Sequence, residues 1–137
     1  MEQTLAILKP DAVRRHLIGQ ILQRIEESGL HIRGLRMLQL SREQAQRFYA
    51  VHKERPFYAS LCAYMSSGPV VVAALEGDNA IARWRELMGA TDPAKAAPGT
   101  IRKDFAIDVE QNAVHGSDAT QTAAVELGFF FRTSELV

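Results

Sequence analysis

The chain has 137 residues, 47% hydrophobic and 23% charged, and its 16 basic and 16 acidic side chains cancel to zero formal net charge. That length supports one domain around one sizeable core, and the balance excludes a disordered polyelectrolyte or a chain built to coat nucleic acid. A single cysteine, Cys62, excludes an internal disulfide, and its apolar neighbours Leu61 and Ala63 place it in the core with no reactive role.

The elements follow in chain order. Thr4 to Leu8 alternates little and is expected as a buried strand running into Lys9-Pro10-Asp11, where the proline suits a helix start. Ile18, Ile21, Leu22 and Ile25 fall on one helical face before Gly29, and Leu30 to Leu40 is expected as a long strand with Ile32 and Met37 among its apolar positions. Ser41-Arg42-Glu43-Gln44 is a capping box opening a helix through Phe48 and Tyr49 towards His52, and Pro56 is expected to start another carrying Leu61, Tyr64 and Met65. Gly68-Pro69 breaks to an apolar run, Val70 to Leu75, which has the length of a buried strand and is far too short to cross a membrane.

Asn79 to Met88 is predicted as a helix with Ile81, Trp84, Leu87 and Met88 on or near its inner face, ended by Gly89. Ala90 to Gly99, with two prolines and no sustained apolar period, is expected as an extended surface loop. After a short strand, Asp118, Gln121, Ala123, Ala124, Val125 and Leu127 predict a capped helix entering the core. This order predicts an α+β fold: a ferredoxin-like, split βαβ antiparallel sheet covered by helices, a single-domain sandwich over residues 1–137. The amino-terminal Met1-Glu2-Gln3-Thr4 has no basic, apolar or cleavage region of a signal peptide, so a cytoplasmic location without a membrane anchor is expected.

Metal clusters need grouped ligands, and one cysteine with four scattered histidines carries no structural zinc signature. Gly29 and Gly34 have P-loop spacing, but Leu35-Arg36 stand where lysine and a hydroxyl residue are required. What remains is His115, in Asn112-Ala113-Val114-His115-Gly116-Ser117-Asp118, beside an expected helix start. An imidazole largely neutral at physiological pH is a competent nucleophile towards phosphorus, and Gly116 lets backbone approach a ligand closely. Spacing alone favours a turn or capping histidine. Lys9, Arg55, Arg85, Thr91 and Arg102 suit phosphate, but sequence distance cannot bring them together.

The run Asn112 to Asp118 resembles the Asn-x-x-His-Gly-Ser-Asp signature of the nucleoside diphosphate kinase family. Lys9-Pro10-Asp11-Ala12-Val13, Arg55-Pro56-Phe57, Ser67-Gly68-Pro69-Val70, Gly89-Ala90-Thr91-Asp92-Pro93 and Pro98-Gly99-Thr100-Ile101-Arg102 resemble that family's blocks in order and separation. The resemblance spans essentially the whole chain and departs at Lys103 and the short carboxyl end.

It implies an ATP:nucleoside-diphosphate phosphotransferase of broad base specificity, in which His115 takes the γ-phosphate of a nucleoside triphosphate and passes it to a nucleoside diphosphate with ping-pong kinetics. The residues leave open which ring nitrogen reacts; the resemblance implies a pros-phosphohistidine. It implies support of His115 by Lys9, Tyr49, Asn112, Ser117 and Glu126, and nucleotide contacts from Lys9, Phe57, Leu61, Arg85, Thr91, Arg102 and Asn112. Phe57 and Leu61 would form the base platform, since stacking reads a π-face and tolerates every base.

Mg²⁺ is the implied cofactor, held mainly through nucleotide phosphates, with no protein ligand assigned. The implied partners are nucleotides and further copies of the chain, a tetramer being favoured and a hexamer allowed, with no dedicated nucleic-acid partner. Two rivals remain: a catalytically silent nucleotide-binding relative, disfavoured by the intact His115, and a nucleic-acid-binding module on the same architecture, disfavoured by neutral charge and the lack of an aromatic RNA-binding strand.

Overall fold

The computed structural model describes residues 1–137. Its sheet is built from β1 (Glu2–Leu8), β2 (His31–Leu38), β3 (Val70–Gly77) and β4 (Val114–Gly116), antiparallel throughout, in the order β2-β3-β1-β4. Around it lie α1 (Pro10–Arg14), α2 (Ile18–Glu27), α3 (Arg42–Phe48), α4 (Tyr58–Met65), α5 (Ala80–Met88), α6 (Ile101–Phe105) and α7 (Thr120–Phe130). This is the expected α+β, ferredoxin-like arrangement.

The central strands read as continuous apolar runs because both faces of the sheet are covered. Successive side chains alternate between faces. Ala6, Leu8, Val71, Ala73 and Leu75 pack against Ile21 and Ile25 of α2, Trp84 and Met88 of α5 and Ile101 of α6. Leu5, Ile7, Val70, Val72 and Ala74 pack on the other face with Ala45 of α3, Cys62 and Met65 of α4, and Leu127 and Phe130 of α7. Cys62 is buried, as its neighbours imply.

Element boundaries differ from expectation for local reasons. β2 is shorter than Leu30 to Leu40: Gly29 enters at a φ of 89°, and Leu40 already turns towards the capping box, which forms as predicted with Gln44 N–H on Ser41 Oγ at 3.0 Å. As an edge strand, β2 also leaves Met37 58% exposed. α3 stops at Phe48 and tightens into a 3-10 turn over Ala50–His52, where His52 N–H reaches Tyr49 O at 2.8 Å. α4 begins at Tyr58 and not at Pro56, since a turn closes first from Tyr58 N–H to Arg55 O, leaving Phe57 as the N-cap. α6 was absent from the sequence reading; the Thr100 hydroxyl caps it by accepting Lys103 N–H.

Asp118 does not cap α7. Its carboxylate is engaged by Arg85, so the helix starts at Thr120, with the Thr122 hydroxyl accepting Ala119 N–H at 2.9 Å. Helical spacing then turns Ala123, Leu127 and Phe130 inward and sends Ala124 and Val125 to solvent, Val125 being 73% exposed. The stretch from Ala90 to Gly99 is the expected irregular loop apart from a short 3-10 turn at Pro93–Lys95. No helix is long and apolar enough to cross a membrane.

Candidate active site

Beside the short strand β4 lies a cavity of about 540 Å³, reached by residues from most of the chain. β1 delivers Lys9 just past its end; the close of α3 delivers Tyr49; α5 and α6 deliver Arg85 and Arg102; Phe57 and Leu61 come from the start of α4. Thr91 and Asn112 come from loops, His115 from β4 and Glu126 from α7. Of the residues singled out in the sequence for this site, Arg55 does not line it, and neither does Ser117. Ser117 stands behind, donating to Glu126 Oε1 at 2.8 Å.

His115 pairs with Ile7 in the sheet, so the imidazole is carried by a strand and not by a helix terminus. Its carbonyl accepts the Trp84 indole N–H at 3.1 Å. Gly116 is required here because a Cβ would come within 2.7 Å of the Trp84 indole and 2.6 Å of Met88 Cε. The ring sits edge-on to Phe48 and Tyr49, with centroids 5.5 Å and 6.0 Å away. Nε2 lies 2.9 Å from Glu126 Oε1. Burial acts to raise the Glu126 carboxyl, but the bonds from His115 and Ser117 outweigh it and hold the group below its ordinary value. An ionised carboxylate only accepts, so Nε2 carries a proton, and in the neutral imidazole the lone pair is on Nδ1.

The cationic side of the cavity is largely buried. Lys9 Nζ donates to Asn112 Oδ1 at 2.8 Å, and Asn112 Nδ2 donates in turn to Thr91 O at 3.1 Å. Burial pushes the Lys9 ammonium down to about 8, with Arg102 adding to the effect and Asp11, Glu110 and Asp108 opposing it. Arg102 spans two carbonyls, Gly89 O at 3.0 Å and Val114 O at 2.8 Å. Burial, then the nearby Arg85, lowers its guanidinium to about 10, still charged at neutral pH.

Two buried donors on residues of the cavity wall have no partner, Arg102 Nε and the Tyr49 hydroxyl, and both atoms lie beneath its surface. Burial and Glu126 push the Tyr49 phenol up, so it remains a donor. Two largely buried cations on one wall, Lys9 and Arg102, suit an anion with several acceptor oxygens. Arg85, by contrast, is exposed and paired to Asp118 at 2.7 Å.

Sequence reasoning missed His52, Val109 and Glu110, which also line the cavity. His52 falls one helical turn after Tyr49 and stacks near it, with centroids 6.4 Å apart, a spacing that was legible. Val109 and Glu110 sit in an irregular loop with no periodic signal. No grouping of three or more His, Cys, Asp or Glu side chains could hold a metal ion.

The profile of the nucleoside diphosphate kinase family matches residues 2–136. The chain is 57% identical to the nucleoside diphosphate kinase of Desulforapulum autotrophicum, covering 100% of this chain and 99% of that one, and 59% identical to that of Rhodospirillum centenum, covering 100% and 98%. Its fold matches the crystal structure of the Aquifex aeolicus nucleoside diphosphate kinase with a TM-score of 0.97 at 46% identity, covering 99% of both chains. It matches the Halobacterium salinarum nucleoside diphosphate kinase in complex with CDP with a TM-score of 0.95 at 42% identity, covering 99% of this chain and 91% of that one.

Proposed function

This chain belongs to the nucleoside diphosphate kinase family and is a nucleoside diphosphate kinase, and from that premise we propose that it works by ping-pong transfer through a phosphohistidine at His115. The observation that carries this reading is the orientation of the imidazole: Nε2 is held by Glu126 while Nδ1 has no hydrogen-bond partner, and the ring lines a cavity it shares with Lys9 and Arg102. In the first half-reaction the Nδ1 lone pair attacks the γ-phosphorus. The bond to the bridging oxygen breaks, and the diphosphate leaves with that electron pair. In the second, a terminal oxygen of another nucleoside diphosphate attacks the same phosphorus and the N–P electrons return to Nδ1.

The transferred group needs alignment and charge more than further covalent help. Lys9, Arg102 and Tyr49 line the buried side of the path, and Arg85 with Thr91 the open side. Positive charge on the phosphorylated ring is balanced by Glu126, which Ser117 holds in place. Phe57 and Leu61 offer the base an apolar platform, and the CDP complex of the Halobacterium relative supports a nucleotide in this pocket. Mg²⁺ bound to the nucleotide's phosphates supplies charge neutralisation. The cavity's carboxylates are already engaged, Asp118 by Arg85, Glu126 by His115 and Glu110 by Ser60, so they form no cage for it.

We also place the chain, as one domain, in a homo-oligomer, a tetramer being favoured. β2, an edge strand whose Arg33 O accepts Val137 N–H at 2.9 Å, exposes Leu35 and Met37 at 50% and 58%, and an apolar edge strand is commonly covered by another copy. Work on dissolved nucleotides suits the cytoplasmic location expected from the sequence.

The test is incubation with γ-labelled ATP and magnesium. The expected product is protein-bound label that is acid-labile, alkali-stable and discharged by a nucleoside diphosphate; an unlabelled protein that still turns over would reject the two-step route.

A pH effect follows from Lys9. In the free protein its ammonium loses its proton as pH rises through about 8, whereas a bound phosphate favours the charged form. Nucleotide affinity is therefore expected to fall as pH rises past that value, and binding on its alkaline side should take up a proton. Calorimetry in two buffers of different ionisation enthalpy measures that uptake, and identical heats in both would remove Lys9 from the phosphate site.

A further inference from the structure

Between Asn112 and His115 the backbone adopts a rare conformation. Ala113 has a φ of 73°, and Val114 N–H closes onto Asn112 O at 2.9 Å, the left-handed γ-turn that is strained for a residue with a Cβ. Nothing in Ala113 itself favours this. The turn is clamped from outside, its carbonyl accepting Lys9 N–H at 2.8 Å and its N–H donating to Asp11 Oδ2 at 3.1 Å. Asp11 is fully buried, and its other oxygen accepts the Tyr64 hydroxyl, which itself accepts Asp11 N–H at 2.8 Å. A buried carboxylate that touches neither the cavity nor a cation is costly, so the two hydrogen bonds it accepts account for its place.

We propose that Asp11 and Tyr64 form a positioning pair for phosphoryl transfer, locking the γ-turn at Ala113 and thereby setting Asn112 and His115 at their working separation. The pair acts through the backbone and contacts no reacting atom. It couples α1 and α4 to the strand that carries the nucleophile, so the amide of Asn112, bonded to Lys9, and the imidazole two residues beyond Ala113 are held by one rigid turn. The carboxylate has a second effect. Lys9 faces Arg102, which disfavours its charge, and Asp11, Glu110 and Asp108, which favour it. Removing the Asp11 charge removes one of the groups that keep Lys9 protonated.

This inference rests on His115 as nucleophile, and the test separates the two. Asp11→Asn keeps the volume and removes the charge; Tyr64→Phe keeps the charge and removes the donor that orients it. Single-turnover labelling by γ-labelled ATP in a quenched-flow instrument is followed for both full-length variants, with rates normalised to the fraction of folded protein. Asp11→Asn is expected to label about 100-fold more slowly at saturating nucleotide, the scale of loss from a small misplacement of reacting groups, with nucleotide affinity nearly unchanged at acidic pH, where Lys9 is charged in both proteins. Tyr64→Phe is expected to lose less in the same direction.

The alkaline limb of the kcat/KM profile should move to lower pH in Asp11→Asn and stay in place in Tyr64→Phe, a separation that simple loss of stability does not produce. Labelling of both variants at the wild-type rate, or a loss confined to nucleotide affinity, overturns the proposal. If Asp11→Asn does not fold, Tyr64→Phe decides. Absence of acid-labile label on the wild-type protein instead overturns the assignment of His115.

Discussion

Replacing His115 with glutamine is expected to abolish phosphoryl exchange while leaving fold and nucleotide binding intact. Glutamine has a similar reach, and its amide N–H can replace the imidazole donor to Glu126 Oε1, so the bond to the carboxylate, 2.9 Å in the native site, survives. The packing of Phe48 and Tyr49 around the side chain changes little. What is lost is the nitrogen lone pair, which an amide does not offer, so the covalent route closes. Loss of a nucleophile on this scale is worth about 10⁴-fold or more in kcat. A coupled assay of diphosphate phosphorylation measures it, with equilibrium dialysis of labelled ADP as the control. Exchange persisting near the native rate would move the nucleophile elsewhere.

The second large effect is expected at Arg102. Its guanidinium serves structure and chemistry at once, bridging Gly89 O and Val114 O while the residue lines the cavity. Arg102→Ala leaves two carbonyls without donors, one of them on the strand that carries His115, and removes a cation from the phosphate site. We expect a loss of about 3 kcal/mol in stability from the unmet buried acceptors. We expect a fall of about 10³-fold in kcat/KM from the lost electrostatic stabilisation. Arg102→Lys should restore charge but not the fork that spans both carbonyls, and so recover little. Urea denaturation and steady-state kinetics read the two losses separately. Catalytic efficiency within threefold of the native value in Arg102→Ala would show that the residue is structural only.

Much of this was legible in the chain, and for specific reasons. The apolar run at Val70, the amphipathic spacing from Ile18 to Ile25 and the capping box at Ser41 are local signals, and each formed the expected element. The expectations that failed were local signals overridden by other contacts, a distant partner in one case, a neighbouring turn in another and the docking of a helix in a third. Asp118 has the sequence context of a helix cap, yet Arg85 claims its carboxylate. Pro56 has that of a helix start, yet a turn closing on Tyr58 N–H delays α4. Val125 follows an apolar pattern but faces solvent, because the direction of a helical stripe depends on how α7 docks against the sheet.

By itself the sequence determined the alternation that covers both sheet faces, the residue types at the site and the family they resemble, since all are properties of the chain read in order. Only the tertiary structure decided that Lys9 meets Asn112, that Glu126 takes Nε2 of His115, and that Asp11 holds Ala113 in a conformation alanine does not favour. Those contacts join positions up to 103 residues apart, where neither helical nor strand periodicity carries information. They exist because the antiparallel register of β1 with β4 brings Leu8 opposite Val114, and with it the end of the first strand to the histidine.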